Sequence, residues 1–123
     1  MDQDQFEHWL QAYGTAWAGK DTDAFVHLFT ADCLYFWTPF GEPKRGHHGI
    51  GRAFSEAVAR QDGIRFGSEV LSVDETGGIA HWWCTFTREG TGRVVTLDGV
   101  LSVKWADGAC SEFREWWHSD EPT

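Results

Sequence analysis

Basic residues are scarce in this sequence. Ten Lys and Arg stand against nineteen Asp and Glu, for a formal net charge of −9. Nucleic-acid recognition needs a cationic surface that displaces counterions, so that class of partner is excluded. An anionic membrane surface is excluded on the same ground. No apolar run approaches the roughly 20 residues that span a bilayer. The opening "MDQDQFEHWLQ" has neither the basic nor the apolar region of a signal peptide, and the expected location is cytoplasmic. Cysteine is also rare, with three residues far apart at Cys33, Cys84 and Cys110. An odd count without close spacing gives neither a disulfide framework nor a zinc knuckle, so the thiols read as reduced. His-Glu-x-x-His and Cys-x-x-Cys patterns are missing, so no metal site is expected. His47 and His48 read as a surface pair, since adjacent helical positions diverge too far to chelate one ion easily.

Large rings, by contrast, are abundant. Eight Trp, nine Phe and two Tyr occur in 123 residues. Two readings compete: an aromatic-filled core, or a cavity walled by rings that holds an apolar or flat ligand. The length suits one domain over residues 1–123.

Periodicity then places the elements. Phe6, Trp9, Leu10, Tyr13 and Trp17 recur at spacings of three and four, which predicts a helix that ends near Gly19. Asp2 or Asp4 can cap its start. "DTDAFVHLF" reads as a second, short helix capped by Asp21, with Phe25, Leu28 and Phe29 inward. "CLYFWTPF" is a strand stopped by Pro39, "GEPKRG" a loop, and "HHGIGRAFSEAVARQ" a third helix. Four strand-like runs follow at 64–73, 79–88, 93–105 and 110–118, separated by short turns. The expected fold is α+β, with helices on one face of a curved, mostly antiparallel sheet.

The stretches "AYGTAWAGKDTDAFVHLFTADCLYFWTPFGEPKRGHHGI" and "LDGVLSVKWADGACSEFREWW" carry a family resemblance. Their order of motifs resembles the SnoaL-like branch of the nuclear-transport-factor-2-like superfamily. That resemblance implies a cone-shaped α+β barrel, three helices on a strongly bent mixed sheet, and a deep pocket between them. It implies no cofactor. Similar proteins include isomerases, cyclases, dehydratases, epoxide hydrolases and non-catalytic binding domains, so the fold alone does not fix the function.

Strand alternation supplies two phases, and the resemblance selects the inner one. It implies pocket positions at Tyr13 and Trp17 of the first helix and at Tyr35 and Trp37 of the first strand. Later strands would add Trp82, Cys84, Phe86, Leu97, Gly99, Leu101, Phe113, Glu115 and Trp117. The opposite phase holds His81, Trp83, Thr85, Asp98, Val100, Glu112, Arg114 and Trp116. Exposed rings there suggest an interface, and a homodimer through the outer sheet face is expected.

Glu115 is the leading chemical candidate. Apolar neighbours would raise its pKa and fit it for general acid or base work. Tyr13 and Tyr35 are the only tyrosines and could donate hydrogen bonds to a ligand carbonyl. The alternative for all three is a buried polar group satisfied by its neighbours. Cys84 has no histidine placed to activate it and reads as an inert thiol. Departures from the resembled enzymes matter. Thr38 or Trp37 stands where similar isomerases carry a general-base aspartate, and Trp82 and Cys84 replace the arginine and second aspartate of similar epoxide hydrolases. The expected ligand is a small apolar or aromatic molecule, and the chemistry, if any, is proton transfer: isomerisation, cyclisation or dehydration. The alternative is a non-catalytic binding or dimerisation domain.

Overall fold

Asp2 starts the chain's first helix with two reciprocal hydrogen bonds. Its carboxylate accepts from the Gln5 N–H, and the Gln5 side chain accepts from the Asp2 N–H. Such a box satisfies donors that a helix start leaves free. In the computed structural model, which covers Met1–Thr123, this helix is α1, Gln3–Ala18. Its buried residues are Phe6, Trp9, Leu10, Tyr13, Gly14, Ala16 and Trp17, one stripe at helical spacing. Asp21 caps α2, Thr22–Val26, through the Ala24 N–H. The third helix, α3, spans Gly46–Val58 and buries Ile50, Gly51, Phe54 and Val58.

Six strands form one sheet: β1 Phe29–Phe36, β2 Lys44–Arg45, β3 Gln61–Asp74, β4 Gly77–Arg88, β5 Val94–Ala106 and β6 Ala109–Asp120. Their order is β2-β1-β6-β5-β4-β3. Strands β3 to β6 are the expected meander of sequential hairpins. β1 lies parallel to β6, and every other pair is antiparallel. The sheet is therefore mixed and mostly antiparallel, with three helices, as the resemblance implied, and it is open. No helix is long and apolar enough to cross a membrane.

Three boundaries differ from the pattern-based expectation. Phe29 opens β1 instead of closing the second helix, yet still points into the core. Lys44 and Arg45, read as loop, pair with Tyr35 and Leu34 as a short edge strand. Gln61, expected at the end of the third helix, instead opens β3 opposite Arg88, because pairing with β4 overrides the helical preference of "AVARQ". Gly63, at φ 59°, supplies the left-handed residue at the register shift that follows.

The inner sheet face and the helices enclose an aromatic core. Phe113 is fully buried and stacks on both phenol rings, on Tyr35 at 4.3 Å and on Tyr13 at 5.7 Å between ring centroids. All three cysteines are free and buried. Burial pushes the Cys84 thiol up to about 12, which leaves it protonated and unreactive near neutrality.

Candidate functional site

A cavity of about 320 Å³ opens between α1, α3 and the inner sheet face. Fifteen of its twenty lining residues are hydrophobic, so water gains little there and an apolar ligand gains much. α1 contributes Tyr13 and Trp17, β1 contributes Tyr35, and α3 contributes Ile50, Ala53, Phe54, Ala57 and Val58. Trp82, Phe86, Val95 and Leu97 form the wall from β4 and β5. Small residues on α3 are what leave the space open, since larger side chains at Ala53 and Ala57 would fill it.

Glu115 is the only carboxyl in that lining. It projects inward from β6 between Phe113 and Trp117 and keeps 6% of its surface. Burial alone pushes its pKa from the ordinary 4.5 to about 8. A carboxylate with an arginine or amide partner would be pulled the other way, and nothing opposes the desolvation here. Facing it are the two tyrosines. Their hydroxyls are 2.9 Å apart, so one phenol donates to the other. Burial first, and then the charge of Glu115, hold both phenols well above their usual range. Both stay protonated, and the pair retains one O–H that its mutual bond does not use.

A second polar element lies one helical turn along α1. The Trp17 indole N–H donates to Gln61 Oε1 at 2.8 Å. The rim is built from half-exposed rings and two cations. Lys44 Nζ sits 5.5 Å from the Trp37 ring centroid. Arg88 is already committed to Glu121 through bonds of 2.8 and 3.0 Å. Trp117, 43% exposed, stands at the same mouth with Ser119.

The SnoaL-like domain model matches residues 10–113, most of the chain and nearly all of this architecture. The chain belongs to the SnoaL-like domain family. No curated protein matches it in sequence. Among solved structures it is similar to a delta 5-3-ketosteroid isomerase from a Mycobacterium species. The TM-score is 0.77 at 18% identity, over 96% of this chain and 98% of that one. It is also similar to a protein of ketosteroid isomerase-like fold from Catenulispora acidiphila, in complex with trimethylamine. There the TM-score is 0.78 at 14% identity, over 88% and 83% of the two chains. A computationally designed 17-OHP binder gives a TM-score of 0.79 at 16% identity, over 97% and 98%. At such identities these likenesses establish the fold.

In this SnoaL-like protein Tyr13, Trp17, Tyr35, Trp37, Trp82, Phe86 and Leu97 line the cavity, as do Glu115 and Trp117 just beyond the matched residues. Cys84, Leu101 and Phe113 share the inward phase but lie fully buried behind the wall. Gly99 is not in the lining either; its place is behind Trp117, whose Cβ lies 2.8 Å from where a Gly99 side chain would begin. Sequence reasoning missed Gln61, Arg88 and the small residues of α3. Gln61 was hidden by the misplaced helix end. Ala53 and Ala57 carried a signal, two small residues spaced four apart beside Phe54, but a shortage of bulk is easy to overlook.

The histidines lie elsewhere. His47 Nε2 donates to the Phe29 carbonyl at 2.7 Å, which ties the start of α3 to β1. Neither His47 nor His48 lines the cavity. His81 is on the outer face between Glu69 and Asp98, at 3.0 Å from each carboxylate. Hydrogen bonds donated to Glu69, then to Asp98, raise its pKa. Asp98 is thus an outer-face residue, paired and outside the cavity.

Proposed function

We propose that the cavity receives a neutral, largely apolar, ring-sized molecule bearing a carbonyl oxygen, and that Glu115 moves a proton on it. The unpaired, buried carboxyl facing two hydrogen-bonded phenols carries this reading. Structural carboxyls at such depth are normally paired, because an isolated one costs stability. With a pKa pushed up to about 8, Glu115 holds its proton in most molecules at pH 7. It can therefore donate to a carbonyl oxygen or leaving hydroxyl near neutrality, and accept from carbon once ionised. The phenol pair would supply a hydrogen bond to the oxygen on which charge develops. The ring-lined wall would exclude water and align the ligand. Isomerisation, cyclisation and dehydration all fit this set, and none needs a cofactor. The isomerase and the designed binder of the same fold support both a catalytic and a binding use of such a cavity.

One observation favours a binding role without chemistry: no second carboxyl or histidine lines the cavity to share the proton work. A panel of β,γ-unsaturated cyclic ketones separates the two. Conversion to the conjugated ketone is followed by ultraviolet absorbance, and binding by quenching of tryptophan fluorescence. Glu115→Gln is expected to slow conversion by roughly 10²–10⁴ while ketones still bind. An unchanged rate removes Glu115 from the chemistry, and binding without conversion by the unaltered protein selects the non-catalytic role.

We further propose self-association into a homodimer through the outer sheet face, where Trp83 and Trp116 are 39% and 49% exposed. Exposed apolar area on a folded chain commonly marks such a contact.

A further inference from the structure

Gln61 is more than nine-tenths buried and lines the cavity. Its side chain makes one hydrogen bond, accepting from the Trp17 indole. Indole nitrogen can only donate, so the group facing Trp17 must be the amide oxygen. That fixes the amide orientation and turns the NH₂ group the other way. No protein acceptor meets this NH₂. Nor is it sealed into the core, because the sole fully enclosed side-chain atom without a partner is Trp82 Nε1. Two N–H donors thus remain unpaired on a nearly buried side chain that lines the cavity.

A buried amide with idle donors is costly unless something fills them. Its cross-strand neighbour Arg88 is already occupied by Glu121, and neither Glu115 nor the tyrosine pair hydrogen-bonds it. Tyr13 and Trp17 are four residues apart on α1, or about 6 Å of helix rise. The cavity consequently has two polar stations with rings between them.

Resting on the reading of the cavity given above, we propose that Gln61 is a specificity-determining residue. It donates to a second, neutral oxygen of the ligand, at a position remote from the carbonyl held by Glu115 and the tyrosines. The ligand class narrows to ring systems oxygenated at two sites, with a carbonyl at one and a hydrogen-bond acceptor such as an ether, hydroxyl or second carbonyl at the other. A neutral acceptor fits better than a carboxylate, since the one cation beside Gln61 is neutralised by Glu121.

Methoxytetralones substituted at different positions of the aromatic ring test this, each against the ethyltetralone of the same substitution. Methoxy and ethyl groups are close in size, and only the former accepts a hydrogen bond. Binding is read by tryptophan fluorescence. At least one methoxy isomer is expected to bind the unaltered protein about threefold to tenfold tighter than its ethyl partner, the worth of one hydrogen bond. In Gln61→Leu that ratio should fall to one or below while the ethyl compound still binds. Gln61→Met repeats the test if the leucine variant does not fold. The ratio within each variant removes any effect of leaving the Trp17 indole unpaired. No methoxy preference in any isomer, or a preference that survives in the variants, overturns the role of Gln61 and leaves the carbonyl site standing. Failure of every tetralone to bind the unaltered protein overturns both.

Discussion

Glu115 links function to stability through a single proton. Its native pKa, about 8, lies above the 4.5 of an exposed glutamate. The native state therefore keeps a proton that the unfolded chain releases between those values. Stability from this group is complete below the lower value and is lost as pH rises through the upper one. The loss should be on the order of a few kcal/mol, since each tenfold change in proton affinity is worth about 1.4 kcal/mol. Glu115→Gln has no charge to bury. Urea denaturation should find it close to the unaltered protein at pH 5 and more stable by roughly 2–4 kcal/mol at pH 9. His81 titrates in both proteins and cancels from the comparison. A difference that does not grow with pH would mean that the carboxyl has found water or a partner. The tyrosines give a second check, because Tyr13 and Tyr35 are the only two. Half of ordinary phenols ionise at pH 10, whereas this buried pair is held well above that value. Absorbance of phenolate should be nearly nil at pH 10 in the folded protein and appear on unfolding.

At the scale of elements, alternation along β6 determines which side chains meet the cavity. A bulge does occur in this strand: Lys104 pairs with Glu112 and Trp105 with Cys110, leaving Ser111 unpaired. It precedes Phe113, so residues 113, 115 and 117 keep the inward phase the sequence implied. Alternation alone left two phases and the resemblance selected the inner one; that choice holds for Phe113, Glu115 and Trp117 together because no bulge interrupts them. Element ends were less legible. "AVARQ" has good helix formers, and only long-range pairing with Arg88 makes Gln61 a strand residue. That one boundary concealed Gln61, one of the five lining residues that are not hydrophobic. Gly99 illustrates a constraint visible only in three dimensions. A side chain there would run into the Trp116 carbonyl oxygen and the Trp117 Cβ on β6. Gly99→Ala should destabilise by about 1–3 kcal/mol, as overpacking does. By displacing Trp117 it should also weaken ketone binding, measured in the same fluorescence titration. A stable variant with normal binding would show that β6 can move aside freely.

For the whole molecule, the two faces of the sheet separate two kinds of work. The inner face is apolar and walled with rings, whereas the outer face carries ion pairs and two half-exposed indoles. Trp83 has an intramolecular task there: its indole lies across Gly67, filling the place of a missing side chain, and its ring is 5.0 Å from His81. Trp116 has less cover. It is the cross-strand partner of Val100 and about half exposed, so it offers more apolar area to a second copy than Trp83 does. A net charge of −9 opposes association at long range, and that repulsion weakens with salt. Self-association driven by apolar area should then strengthen as salt rises, whereas association through ion pairs would weaken. Sedimentation velocity is expected to show a dimer that salt favours, and Trp116→Lys a monomer. Because Trp116 and Trp117 point to opposite faces, the lysine variant should keep the ketone affinity of the cavity. A protein that stays monomeric at high concentration and high salt would exclude the dimer. A dimer unaffected by Trp116→Lys would move the contact to another face, and a loss of cavity binding in that variant would mean the two faces are coupled through β6.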